Sequence, residues 1–380
     1  MTPPRAHVLF VLPVLEPAGA ERIVASLACL LPQHGFGTSV ICLEDERASV
    51  GEALKVFGIP VHGLRLSRRR TLACAKAIAR RIPAERPLIV HAHLFHANLA
   101  ARLAVKRLDK ATRAGVHVLS TVHVAEHRFR PWQFALDRLT ASIARAEVCV
   151  SRAVATFQQQ RTGLPETFFR VIENGIHLQR FTPRESPPIL RSADGKRKPD
   201  PLRVVSVGRL DPQKDFPMLL HAWKDVEETF PAAELVIAGS GPEDAALKAL
   251  RKKLGLLNVQ FPGFVEDIPA LLRSADLYVQ SSAWEGFGLA VAEAMACALP
   301  VVVTDVDSLP EIVENGTSGI VVPGRNPQAL SSAMIALLSA PPRAIELGKR
   351  ARIEALERFS VERMVADYAR LYREILQISD

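Results

Sequence analysis

Glu285 and Glu293 stand eight residues apart in SSAWEGFGLAVAEAMACALP (281–300), with a Gly-Phe-Gly turn between them. The turn follows the apolar run DLYVQSS and precedes a helical pattern beginning near Phe287 or Gly288. A helix N-terminus there offers unpaired N–H groups and a favourable dipole to a diphosphate. Gly286 and Gly288 let a ligand approach the backbone closely. Glu293, on the same helix, is placed to accept hydrogen bonds from hydroxyls. The plain alternative makes Glu285 a helix cap and Glu293 a solvated position.

VGRLDPQKDF (207–216) adds two cations after another strand, Arg209 and Lys214. A guanidinium forks onto phosphate oxygens and an ammonium supplies a point charge, so the two suit a diphosphate. In the first half, PAGAERIV (17–24) again reads as strand, small-residue turn and helix, with Gly19 free to approach a phosphate. AGSGPE (238–243) is a further glycine turn whose spacing alone says little. His91, His93, His96, His117, His123 and His127 crowd residues 91–127 without a carboxylate set at fixed helical spacing, so no metal site is expected. His123, ending VHVLSTVH, is the one expected to face a cleft between domains. Asp305-Val306-Asp307 mimics a metal-binding DxD but sits where aspartates commonly start turns.

The chain has 380 residues, 48% of them hydrophobic and 23% charged, which suits two globular domains and excludes disorder. Its five cysteines are widely spaced without a CxxC pair, and read as reduced thiols of a cytoplasmic protein. HVLFVLPVL is closed by Glu16 and reads as a first buried strand rather than a leader. No window reaches the ~18 uninterrupted apolar residues of a membrane span. Residues 1–185 carry 26 Lys and Arg against 14 Asp and Glu, a surplus of twelve; the rest carry 22 against 26. The first half therefore suits an anionic partner. RLSRRRTLACAKAIARRIP (65–83) concentrates that charge, with Arg68, Arg69, Arg70, Lys76, Arg80 and Arg81 as candidates for meeting an anionic membrane surface; a solvated helix face is the alternative. Aromatic platforms for single-stranded nucleic acid are missing there.

Near-continuous apolar strands alternate with helical patterns in both halves, which argues for two parallel sheets covered on both faces. HVLFVLPV, TSVICL, LIVHAH, VHVLSTVH and AEVCVS are the expected strands of the first half. LRVVSVGRL, AELVIAGSG, NVQFPGFV, DLYVQSS and PVVVTDV are those of the second. SPPILRSADGKRKPDP (186–201) reads as a linker between a first domain at 1–185 and a second at 202–357. The fold class expected is α/β, two Rossmann-like domains facing across a cleft. Ligands in such sheets bind outside the carboxyl ends of the strands.

Taken together, AGAERIV, VGRLDPQKDF, AGSGPE, GFVEDIPALLRSADLYVQSS, WEGFGLAVAEAMACALPVV and ENGTSGIVV resemble the retaining family-4 glycosyltransferases of GT-B fold over nearly the whole chain. The resemblance implies that Glu293 holds the ribose of a nucleotide sugar and that Glu285 lies by the transferred sugar. Phe287, Gly288 and Leu289 would line the sugar-diphosphate pocket with backbone groups, Arg209 and Lys214 would bind the diphosphate, and Val265 would meet the base. His123 would stand near the transferred sugar and Gly19 would face the diphosphate. The closing helix at 358–380 would cross back onto the first domain. A uridine or guanosine diphosphate sugar would be the co-substrate, with no cofactor and no metal, and the acceptor a lipid-linked molecule or glycan. Departures are Ala18-Gly19 where the family has two glycines, Asp307-Ser308 for a Gly-Gly pair, and NGIH (174–177) for NGID. A sugar-nucleotide epimerase of similar fold and a non-catalytic sugar-nucleotide-binding protein are the competing readings. A Rossmann dehydrogenase is disfavoured because no GxGxxG follows the first strand.

Overall fold

The computed structural model describes residues 6–45, 49–83, 87–185 and 201–378, so all of the expected linker except Pro201 lies outside the described residues. The chain divides into two units, one of residues 1–175 with 361–380, the other of 176–360. Each is built on its own parallel sheet.

The first unit contains β1 (Ala6–Leu12), β2 (Phe36–Cys42), β3 (Val61–Gly63), β4 (Leu88–His93), β5 (Val116–Val122), β6 (Ala144–Cys149) and β7 (Phe169–Val171). Their order is β3-β2-β1-β4-β5-β6-β7, so the winding reverses between β1 and β4. Leu9, Val11, Leu88, Val90 and Val118 form part of the core under the helices Thr71–Ala79 and Phe95–Lys106. The second helix is anchored by Arg102, which is fully buried and bonds Asp137 (3.1 Å), Glu147 (2.8 Å) and Ser120 (3.1 Å). The shared guanidinium does not offset the desolvation of Asp137, whose carboxyl burial pushes up to about 7. The helix Val361–Leu376 also belongs to this unit. Val361, Met364, Val365, Tyr368 and Tyr372 recur at helical spacing and are all buried, giving the helix one apolar face.

The second unit contains β8 (Arg203–Val207), β9 (Glu234–Ala238), β10 (Val259–Gly263), β11 (Leu277–Gln280), β12 (Val301–Thr304) and β13 (Ile320–Val322), in the order β10-β9-β8-β11-β12-β13. The reversal falls between β8 and β11. Trp223 and Phe216, both fully buried, anchor the helix Phe216–Thr229 to this sheet's core with Leu235 and Val279. The strands β3, β7 and β13 have three residues each, too short for an alternating or continuous apolar pattern to be read from sequence.

AGSGPE acquires a structural purpose. Gly208 N–H donates to Ala238 O (3.0 Å) and Leu210 N–H to Ser240 O (3.0 Å), so the loop after β9 continues the ladder beside the loop after β8. Gly239 has φ of +146°, and a Cβ there would lie 1.9 Å from the Gly208 carbonyl oxygen. Only glycine allows that approach. Gly239→Ala is expected to destabilise the second unit by about 2–3 kcal/mol. A lower urea midpoint followed by tryptophan fluorescence checks this; an unchanged midpoint contradicts the packing.

Candidate active site

The β8 loop and the β11 loop leave neighbouring parallel strands at the reversal of the second sheet, the position where open α/β sheets bind ligands. Asp211 accepts from Gln213 N–H (3.0 Å) and tightens the turn that delivers Lys214. Asp215, at φ of +45°, caps the next helix. Two backbone-linked bonds stitch the loops together: Ala283 N–H to Gln213 O (2.8 Å) and Ser281 Oγ to Lys214 O (2.8 Å). Across this seam the Lys214 ammonium pairs with the Glu285 carboxylate. That carboxylate also accepts from Ser282 Oγ (3.2 Å), Gly286 N–H (3.2 Å) and Gln213 Nε2 (3.5 Å). Ser282 is held by Gln280, which accepts from the Tyr278 hydroxyl (2.7 Å).

Neither glutamate follows the plain alternative. Glu285 is buried and does not cap the helix, whose N-terminus carries no side-chain cap. The helix runs Leu289–Ala296 from Gly288, which sits at φ of +86° where glycine is favoured. Glu293 is 2% exposed, so it is not a solvated position. Its neighbourhood is visible in the groups it influences. Burial, aided by the Glu293 and Glu285 charges, raises the Tyr278 hydroxyl pKa; burial, with Glu293 adding to it, pushes the Cys297 thiol up to about 12. Phe287 turns its ring into the core, edge-on to Phe359 at 5.5 Å, which leaves its backbone as the part available to a ligand. Arg209 is exposed, with no hydrogen bond or ion pair among the described residues. Val265 lies half-buried in the loop after β10.

Asp307-Ser308 stands where the resemblance places a Gly-Gly pair, a departure that bears on sugar choice. Asp307 has φ of +41°, a conformation that disfavours an L side chain, and its carboxylate accepts from Glu285 N–H (3.0 Å). Ser308 Oγ donates to Glu285 O (3.4 Å). The two side chains that replace glycines therefore grip the Glu285 backbone from both sides. No group of three or more His, Cys, Asp or Glu among the described residues has a metal-holding arrangement.

In the first unit, Gly19 begins the helix Gly19–Leu30 after β1 and is exposed, while Glu21 is buried. Leu94, just after β4, has φ of +70°, an outlier for a bulky residue. His91, His93 and His123 form one group of rings, His93 stacked with His123 and tilted against His91. His91 bonds the Tyr372 hydroxyl and Thr121 Oγ1, each at 2.7 Å, and His93 Nδ1 lies 2.9 Å from His123 Nε2. Burial lowers all three imidazole pKa values, His123 to about 4 and the other two well below the usual value. Sequence reading singled out His123 but missed its partners; the HAH run ending a buried strand was the available signal. His96, His117 and His127 stand outside this group, His117 accepting from Arg145 Nε at 3.2 Å. Arg68, Arg69, Arg70, Lys76, Arg80 and Arg81 are all exposed on and beside the helix Thr71–Ala79, with Leu72 69% exposed among them. No helix among the described residues is long and apolar enough to cross a membrane.

Two family models cover the chain in succession: Glycosyltransferase Family 4 over residues 17–180 and Glycosyl transferases group 1 over 191–354. The chain belongs to glycosyltransferase family 4. The Escherichia coli UDP-Gal:alpha-D-GlcNAc-diphosphoundecaprenol alpha-1,3-galactosyltransferase is 25% identical over 98% of this chain and 97% of its own. The phosphatidyl-myo-inositol mannosyltransferase of Mycobacterium leprae is 27% identical over 85% and 84%. The crystal structure of Anabaena Alr3699/HepE with UDP and glucose superposes with a TM-score of 0.83 at 22% identity, covering 97% of this chain and 99% of that one. The fold of this glycosyltransferase is therefore GT-B.

Two outcomes follow from the geometry. Asp307→Gly relieves a strained backbone but frees Glu285 N–H, so we expect little change in melting temperature and about a tenfold drop in nucleotide release from the donor. Wild-type turnover would show that Glu285 is held without Asp307. The second concerns pH. Histidines with folded pKa values below that of the unfolded chain contribute stability above about 6.5 that is lost as pH falls toward 4, because the unfolded chain then binds more protons. Asp137, raised to about 7, acts in the opposite sense, so the test is a difference in slope. His91→Leu lowers stability throughout, but between pH 6.5 and 5 its unfolding free energy should fall on average about 1.1 kcal/mol per pH unit less steeply than wild type. Equal slopes contradict the buried neutral imidazole.

Proposed function

We propose that this glycosyltransferase moves a hexosyl unit from a uridine or guanosine diphosphate sugar to a lipid-linked or glycan acceptor, retaining the anomeric configuration without a metal, in the synthesis of a surface polysaccharide or glycolipid. The observation that carries this reading is the Lys214–Glu285 pair at the reversal of the second sheet, beside the free guanidinium of Arg209. Arg209 and Lys214 bind the diphosphate, with the uncapped N-terminus at Gly288 and the backbone of Phe287 and Leu289 adding N–H groups. Glu293 binds the ribose, Val265 meets the base, Gly19 faces the diphosphate and His123 the sugar.

In the reaction the bond from the anomeric carbon to the diphosphate oxygen breaks and a bond to the acceptor oxygen forms. The acceptor's proton passes to the departing diphosphate, whose growing negative charge the two cations stabilise. Glu285 already accepts from Lys214, Ser282, Gly286 and Gln213, which weakens it as a nucleophile and favours same-face attack over a covalent intermediate. A lipid-linked acceptor is supported by the diphosphoundecaprenol and phosphatidyl-myo-inositol in the names of the two enzymes above, and a uridine nucleotide by the Anabaena complex. The exposed cluster Arg68, Arg69, Arg70, Lys76, Arg80 and Arg81, with Leu72, suits the anionic inner face of a cell membrane, at about 1 kcal/mol per basic residue.

A thermal-shift panel of uridine, guanosine and adenosine diphosphate sugars tests the donor: one base should raise the melting temperature, and no shift with any donor would sink the reading. By calorimetry, Glu293→Ala should weaken that donor at least tenfold. Unchanged affinity removes Glu293 from the ribose.

A further inference from the structure

His93 has one ring nitrogen 2.9 Å from His123 and the other, Nε2, buried with no hydrogen-bond partner. We propose that His93 is a positioning residue that holds His123 as the Nδ1–H tautomer, so that His123 meets the transferred sugar as a hydrogen-bond donor and not as a base. This rests on the reading of His123 given above.

One proton lies in the bond between His93 Nδ1 and His123 Nε2, and two arrangements share it when both rings are neutral. If His123 donates, the proton of His93 must sit on Nε2, a buried N–H without an acceptor. Orphaned buried donors are the rarer and costlier case. If His93 donates from Nδ1, its bare Nε2 lone pair is the only unused capacity, and His123 carries its proton on Nδ1. The packing supports the neutral state of both. His93 is fully buried, tilted at 40° against His91 with 4.1 Å between ring centroids, stacked with His123 at 5.2 Å and 5.9 Å from Phe10. A cation there would have no carboxylate acting on it among the described residues, and burial lowers the pKa of each imidazole.

The surroundings give His93 little freedom to rearrange. It sits in β4 opposite Thr121 of β5, and His123 follows that strand by one residue. The next residue, Leu94, is fixed at positive φ by its own N–H to Thr121 O (3.2 Å) and by Asn98 N–H to its carbonyl (2.9 Å). Strain of that kind persists where neighbours over-determine the backbone. His123 Nε2 is thereby occupied as an acceptor and Nδ1 is protonated, which leaves no basic nitrogen for abstracting a proton.

Nitrogen-15 spectra of histidine-labelled protein, with His123 assigned through His123→Gln, read the tautomer directly. A pyrrole-type Nδ1 and a pyridine-type Nε2 on His123 are expected at pH 7.5, and the reverse pattern overturns the proposal whatever the variants do. His93→Asn keeps an N–H where Nδ1 stood, whereas His93→Leu removes it. The asparagine variant should keep the wild-type tautomer and turnover within about threefold. The leucine variant should lose the tautomer and at least tenfold in kcat, with nucleotide affinity unchanged. Equal turnover of the leucine and wild-type proteins overturns the role of His93. A wild-type tautomer as expected, together with an inactive-site reading of His123 (full turnover in His123→Gln), would instead fault the assignment of His123.

Discussion

The pairing of Lys214 with Glu285 is the interaction on which the second unit's site depends. It joins two loops that are 71 residues apart in sequence but leave adjacent strands, and both side chains are largely withdrawn from water. A half-dry ion pair is stabilising only when further hydrogen bonds complete it. Ser282, Gly286 and Gln213 supply these on the acid's side, while Asp307 and Ser308 restrain the acid's backbone. Holding Glu285 therefore recruits residues from three loops, and their glycines and strained positions follow from that demand. An anion approaching the same ammonium would meet charges already placed and largely withdrawn from water, so little reorganisation would accompany its binding.

The first unit solves a different problem with neutral groups. Three imidazoles, two tyrosine hydroxyls and a threonine are brought together by β4, β5 and the helix Val361–Leu376. Charge is kept out of this array by burial and is instead concentrated at Arg102, whose two carboxylates lie on different elements. The helix that begins directly after His93 is thus pinned at Arg102. Rigid placement at one end of that helix comes from a salt-bridged anchor nearer its other end.

Much of this was legible in the residues. Parallel sheets followed from continuous apolar runs such as LIVHAH and DLYVQSS; Arg209, Lys214 and Glu285 were marked by their places after strands, and Glu293 by its place on the helix that follows. The resemblance to a family sharpened their roles. What was not legible was mutual: burial of Glu293, the grip of Asp307 on Glu285, and the meeting of His93 with His123 depend on side chains brought together from distant elements. Three-residue strands escaped because pairing with a neighbour, not their own composition, makes them strands. AGSGPE looked uninformative because its glycines answer to the backbone of another loop.

The helix Val361–Leu376 carries one more consequence. Tyr372, which bonds His91 in the first sheet, is added to the chain only after every residue of the second unit has been synthesised. The second unit's strands are contiguous in the chain, so that unit has all its parts earlier, while the imidazole array waits with one wall missing. Order of completion thus runs opposite to order of initiation: the unit that begins first is the last to be completed.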